Sequence, residues 1–278
     1  MRMPPVIPPP IPPGEITPED LRELAAAKTI LENPGLTARL SNLLGTPIEK
    51  GFKLLPRGWS DTINKVSRAA LLKALQVAVI TMGRSPKPRK SSNRFHKLLV
   101  GASGGIGGAF GLAALALELP ISTTIMLRSI AEIARSEGHD PRSVETKLAC
   151  LEVFALGGRS PGDDASESGY WAVRAALAKA ISEAASYLAE KGFLEKSAPA
   201  VVRLITSIAS RFGVIVSEQV AAKAVPIVGA AGGSIINVLF MNHFQEMARG
   251  HFIVKRLEYK YGTERVEAAY NQLAVPMP

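Results

Sequence analysis

Cysteine is nearly missing from this chain: Cys150 is the one thiol among 278 residues. A lone thiol forms no internal disulfide and builds no metal-binding cysteine cluster, so an oxidised framework is excluded. Its surroundings read as an amphipathic helix, where a cysteine serves as a small core residue. Alternating β-branched segments are also scarce, with Val214 to Val216 the only short candidate. Helices must therefore supply the core. The chain opens Met1-Arg2-Met3 and runs directly into prolines, without the apolar stretch of a secretory signal. The cytoplasm, or its face of the inner membrane, is the expected location. No glycine loop ends in Gly-Lys-Ser/Thr, and recognition-helix or base-stacking signatures are missing, so nucleic acid is supported by charge alone. No cofactor is expected.

What the chain does have is apolar mass and positive charge. Hydrophobic residues make up 47%, charged residues 21%, and the formal net charge is +9. The mean hydropathy of +0.14 is high for a water-soluble protein. This balance favours anionic partners, among them lipid headgroups and acidic proteins.

The most distinctive pattern is glycine-rich and occurs twice. Val100-Gly101-Ala102-Ser103-Gly104-Gly105 returns 128 residues later as Val228-Gly229-Ala230-Ala231-Gly232-Gly233. Each copy lies in an uncharged run, Leu98 to Leu117 and Ala224 to Asn242, and Arg128 and Arg256 follow in register. The first run reaches the length a bilayer span needs, about 20 residues. Six of its residues are glycine, many spaced at four, including Gly104 and Gly108. Such spacing allows close helix contact in a membrane and in a soluble core alike. A stable span, an apolar core that opens toward lipid, and a plain soluble core all remain open. Asn237, Asn242 and Pro226 make the second run the poorer span.

The chain divides into a proline-rich arm (1–16), a helical domain (17–273) and a short tail (274–278). The arm holds seven prolines between Pro4 and Pro13 and reads as polyproline or disordered chain. Thr17-Pro18-Glu19-Asp20 has the composition of a helix start. The first helix is expected to stop at Asn33-Pro34-Gly35. Further helices are expected at about 46–55, 60–82, 120–137, from Asp140-Pro141 to 156, 170–190, 199–225 with a break at Gly213, onward to Arg249 with a bend at Gly250, then 251–261 and 264–273. The fold class is all-α, a single multi-helix domain with two glycine-rich central helices related by an internal repeat.

Candidate chemistry is sparse. His243 and Glu246 share a helix face, with Glu118 and Glu132 as candidate partners, which gives a metal set for a hydrolase. Its alternative is a self-neutralising polar cluster. Arg128, Glu132 and Arg135 form either a helix ion pair or an anchor for phosphate or carboxylate, to which Arg249 and Arg256 would add. Gly101-Ala102-Ser103-Gly104-Gly105 fits a nucleophile elbow on paper, but that motif needs a strand before it. The loop Gly83 to Asn93 and its sequel carry six cations and no acid, among them Arg84, Lys87, Arg89, Lys90 and Arg94. They suit anionic headgroups or a solvated loop.

Gly-Ala-Ser-Gly-Gly at 101–105, Leu119-Pro120 with Thr123 to Ala134, Cys150 to Gly158, Val225 to Gly229 and His243 to Phe252 together resemble the EcsC protein family of bacteria. The resemblance covers about residues 40–273. That family is named after an operon that also encodes an ABC transporter, and it brings no catalytic residues with it. A remoter similarity, to the senescence-type domain of spartin and plant dehydration proteins, implies association with lipid. The resulting expectation is a cytoplasmic, membrane-associated helical protein that binds lipid or another apolar ligand. Gly101, Gly104, Gly105, Gly108, Gly229, Gly232 and Gly233 would line the site, and Arg128 with the basic loop would face headgroups. A metal-dependent hydrolase and a structural partner of a membrane complex are the alternatives.

Overall fold

The computed structural model describes residues 15–32, 35–45, 47–81, 111–157, 169–191, 198–225 and 229–274. Among them lie ten α-helices, one 3-10 turn and no strand, so the protein is all-α. In chain order the helices are α1 (Pro18–Glu32), α2 (Gly35–Leu44), α3 (Glu49–Phe52), α4 (Trp59–Thr81), α5 (Gly111–Ser136), α6 (Val144–Glu152), α7 (Gly169–Lys191), α8 (Pro199–Ala224), α9 (Gly229–Tyr261) and α10 (Thr263–Gln272). The 3-10 turn, Val153–Ala155, continues α6.

Thr17 starts α1 as its composition suggests: its hydroxyl accepts from the Asp20 backbone N–H at 3.2 Å. Asn33-Pro34-Gly35 ends that helix but also leads directly into α2, which the sequence reading passed over. Leu36, Leu40 and Leu44 are buried at a spacing of four, and that apolar stripe drives α2. The helix expected at 46–55 is one turn, α3. Asp140 does not cap the next helix; its carboxylate accepts from the Arg142 backbone N–H and shapes the turn. Ser143 is the N-cap, accepting from Thr146 N–H at 3.1 Å.

Three expected breaks are continuous helix. Pro120 lies inside α5, where packing on both flanks holds the helix despite the lost N–H. Gly213 lies inside α8, and Asn64 of α4 fills the space a side chain there would take. Val214 to Val216 is helix in the same stretch. Gly250 does not bend α9: it lets Leu31 and the Ala27 carbonyl of α1 approach the helix backbone. The turn comes later, at Gly262, whose φ of +86° suits glycine.

The 33 residues of α9 make a rod about 50 Å long at ~1.5 Å per residue. It forms one corner of a four-helix ring. α4 packs on α5 and α8, and α9 packs on the same two helices, so α4/α9 and α5/α8 are the diagonals. α5 and α9 run parallel, as three side-chain contacts in ascending order establish: Glu118 with Asn237, Ser129 with Gln245, and Glu137 with Arg256. The centre is aromatic. Phe154, Phe212, Phe240 and Phe244 are each at most 1% exposed, with ring centroids 5.1–6.2 Å apart. Close-packed rings of this kind contribute beyond their burial.

Among the described residues, α8 is the one helix long and apolar enough to cross a bilayer. Half of its most apolar window is buried against the rest of the fold, as a core helix requires. α1 closes the other side of α9. Asp20 accepts from Lys260 Nζ at 2.7 Å and from the Tyr261 hydroxyl, which hold its carboxyl down at about 2. Lys28, 7% exposed, donates from Nζ to the Tyr270 and Leu273 carbonyls, both at 2.7 Å, and so caps the end of α10.

Candidate functional site

One end of the ring gathers α5, α8 and α9 around a buried polar cluster. Asn237 lies within the second uncharged run, fully buried, and a buried amide must find partners. Its Nδ2 donates to Glu118 Oε1 at 2.6 Å, and its Oδ1 accepts from Gln219 Nε2 at 2.7 Å. Lys223 Nζ donates to the same Glu118 oxygen at 2.8 Å. Glu118 and Lys223 side chains are only 10% and 13% exposed. The second glycine pattern is next door: Gly229, Gly232 and Gly233 form the first turns of α9, and Gly233 is buried.

Outward from this cluster, α5 presents apolar side chains to solvent. Leu117 is 75% exposed and Ile121 56%. Leu117, Ile121, Thr124 and Arg128 follow the four-three-four spacing of a single helix face. Arg128 is exposed and has no ion pair with another described residue. The neighbouring helix α4 adds Lys65, Arg68 and Lys73, all exposed. The exposed apolar pair and Arg128 therefore share one face of α5, and the three α4 cations lie on a helix packed against it.

A second polar cluster is fully internal. The described part of the stretch Cys150 to Gly158, residues 150–157, and the stretch His243 to Phe252, far apart in sequence, meet here. His251, wholly buried, has Nδ1 3.0 Å from the Tyr170 hydroxyl and Nε2 3.5 Å from Glu152. Arg174 makes a bidentate pair with Glu258 at 2.6 and 3.0 Å and lies 3.9 Å from Glu152. Its guanidinium also stacks 4.6 Å from the Trp171 ring centre. Burial drives the His251 imidazole well below its usual range and lifts the Glu152 carboxyl and the Tyr170 phenol. These shifts favour a neutral imidazole. The cluster ties α6, α7 and α9 together.

The chain belongs to the EcsC protein family. The family's model matches residues 19–257, from α1 almost to the end of α9. No curated protein and no solved structure matches the chain. The family match brings no senescence- or spartin-type domain with it. The Glu118 cluster and the exposed α5 face fall within the EcsC span, as does the His251 cluster except for Glu258, one residue beyond it.

The other residues singled out from the sequence of this EcsC-family chain scatter. Gly101, Gly104, Gly105 and Gly108 lie outside the described residues, as do Arg84, Lys87, Arg89, Lys90 and Arg94. The metal set is not assembled. Glu118 is committed to Lys223 and Asn237, and Glu246 pairs with Arg39 at 2.8 Å. Glu132 is half-buried on α5. His243 is packed into the core, where burial lowers its pKa to about 4. No group of three or more His, Cys, Asp or Glu among the described residues is arranged to hold a metal. Arg256 pairs with Glu23 and Glu137, whereas Arg249 is exposed. Cys150 is wholly buried, and desolvation raises its thiol far from the reactive range.

Sequence reasoning missed Lys223, Gln219, Tyr170, Arg174 and Glu258. One signal was available: Asn237 was visible as a polar interruption of an apolar run, which implies a buried partner. Nothing local marks Arg174 as the partner of Glu258, 84 residues away.

Proposed function

We propose that this protein is a peripheral membrane protein of the cytoplasmic face that binds anionic lipid through the exposed face of α5 and the cations of α4. The observation that carries this reading is the exposure of Leu117 and Ile121 in line with Arg128 on α5, a helix packed against α4 with its exposed Lys65, Arg68 and Lys73. Each cation near an anionic surface contributes about 1 kcal/mol. Burying a leucine or isoleucine contributes about 1.5–3 kcal/mol more. Together these give reversible, salt-sensitive attachment rather than permanent insertion. Residues 82–110, which lie outside the described residues, hold six cations and most of the first glycine run, a composition of the same kind. An acyl chain or similar apolar ligand is the cargo this composition suits.

The test is sedimentation with vesicles of phosphatidylcholine alone and of equal parts phosphatidylcholine and phosphatidylglycerol. The protein is expected to pellet with the anionic vesicles and to lose most of that binding in the variant Arg68→Glu, Lys73→Glu, Arg128→Glu. Equal binding by the variant, or none by the parent protein, refutes the reading.

A further inference from the structure

We propose that the Glu118–Lys223–Asn237–Gln219 cluster is a latch that holds one end of the helix ring closed and opens when the α5 face meets a membrane. This rests on the membrane reading above. α5 and α8 lie on a diagonal of the ring and are not packed side by side. Glu118 and Lys223 nevertheless reach across that diagonal, and Asn237 joins the third helix through the same carboxylate oxygen. Directly around them the ring is apolar: Leu115, Leu119, Val220, Val225 and Ile236 are all at most 9% exposed.

A charge pair is an unexpected closure for such a site. Buried ion pairs are commonly no more stabilising than apolar residues of the same volume, because desolvation offsets their attraction. What a charge pair adds is two distinct states. Dry, it is strongly held and fixes the register of three helix ends. Once water or a headgroup region reaches it, the attraction falls with the rising dielectric. Lys223 can then extend its ammonium toward the interface while its stem stays in apolar surroundings. Leu117 and Ile121 place that interface one residue and three residues from Glu118 on the same helix. Parting α5 from α8 there uncovers Leu119, Val225 and Ile236, which lipid solvates as well as the core does.

Hydrogen exchange read by mass spectrometry on the full chain tests this, with vesicles of equal parts phosphatidylcholine and phosphatidylglycerol as the probe. Exchange of the amides at 115–121 and 233–240 is expected to rise about tenfold on vesicles, as local opening requires. The variant Glu118→Leu with Lys223→Met, closed by apolar contact, is expected to bind the vesicles yet keep these amides protected. The variant Glu118→Gln is expected to show the faster exchange without vesicles. The latch is overturned, with the membrane reading intact, if the parent protein binds vesicles with unchanged exchange or if the Leu/Met variant opens as fully as the parent. Failure of the parent to bind removes both.

Discussion

The His243 ring occupies the place where a side chain at Gly157 would begin: a Cβ there would lie 2.5 Å from His243 Cε1 and 2.6 Å from Nε2. Gly157 also has φ +76°, so glycine is required twice over, for conformation and for space. Met247 Sδ closes the third side at 2.9 Å.

Gly157→Ala is therefore expected to destabilise the fold by about 2–4 kcal/mol, combining left-handed backbone strain with overpacking. Urea unfolding followed by circular dichroism measures it. A midpoint within error of the parent protein would show that the core relaxes around the added methyl.

His243 sets a pH dependence. The unfolded imidazole takes up its proton near its ordinary value of 6.5, whereas burial, then the nearby Arg39 charge, keep it neutral in the fold down to about 4. Between those values the unfolded chain binds the extra proton, so acid favours unfolding. The contribution is complete above 6.5 and is lost as pH falls toward 4, about 3 kcal/mol in all. His251 and His139, both lowered by burial, act in the same direction. Glu152 and Glu218, both raised by burial, act against it. His243→Gln is expected to lower stability at neutral pH and to flatten its decline on acidification. Denaturant midpoints collected from about pH 7 to pH 4 read the slope, and an unchanged slope would mean that other groups dominate it.

Arg174→Met leaves the Glu258 carboxylate without its paired cation and is expected to cost about 3–5 kcal/mol. Arg174→Met with Glu258→Leu is expected to recover much of that loss, because the uncompensated charge at 258 goes with it. Trp171, which loses the guanidinium over its ring, provides a fluorescence readout of the site in both variants. A double variant as unstable as the single one would place the cost in lost packing instead.

The all-α class was legible because helical periodicity and the scarcity of alternating segments are local properties. Thr17 was legible as a cap for the same reason. Pro120, Gly213 and Gly250 misled because their effect on a helix depends on what packs against it: α4 and α9 beside Pro120, Asn64 beside Gly213, Leu31 beside Gly250. The stop at Asn33-Pro34-Gly35 was correct, and it concealed a helix beginning on its far side. At the α5–α8–α9 end, Glu118 and Asn237 each stood out as polar in apolar surroundings. Their pairing was invisible, since 119 residues separate them. Arg128 was picked out by its place in the repeat. The apolar face beside it emerged only once Leu117 and Ile121 were known to point away from the core.

Lys28 reaches from the first described helix to the carbonyls that end the last, 242 and 245 residues onward. During synthesis, α1 therefore waits for its partner until some 240 further residues have been made. Until then its apolar stripe, Leu24, Ala27 and Leu31, has only part of its cover. Contacts this distant in sequence are slow to form. The seam between α1 and α10 is accordingly late to close in a growing chain, and it is where a chaperone would find the unfinished molecule open.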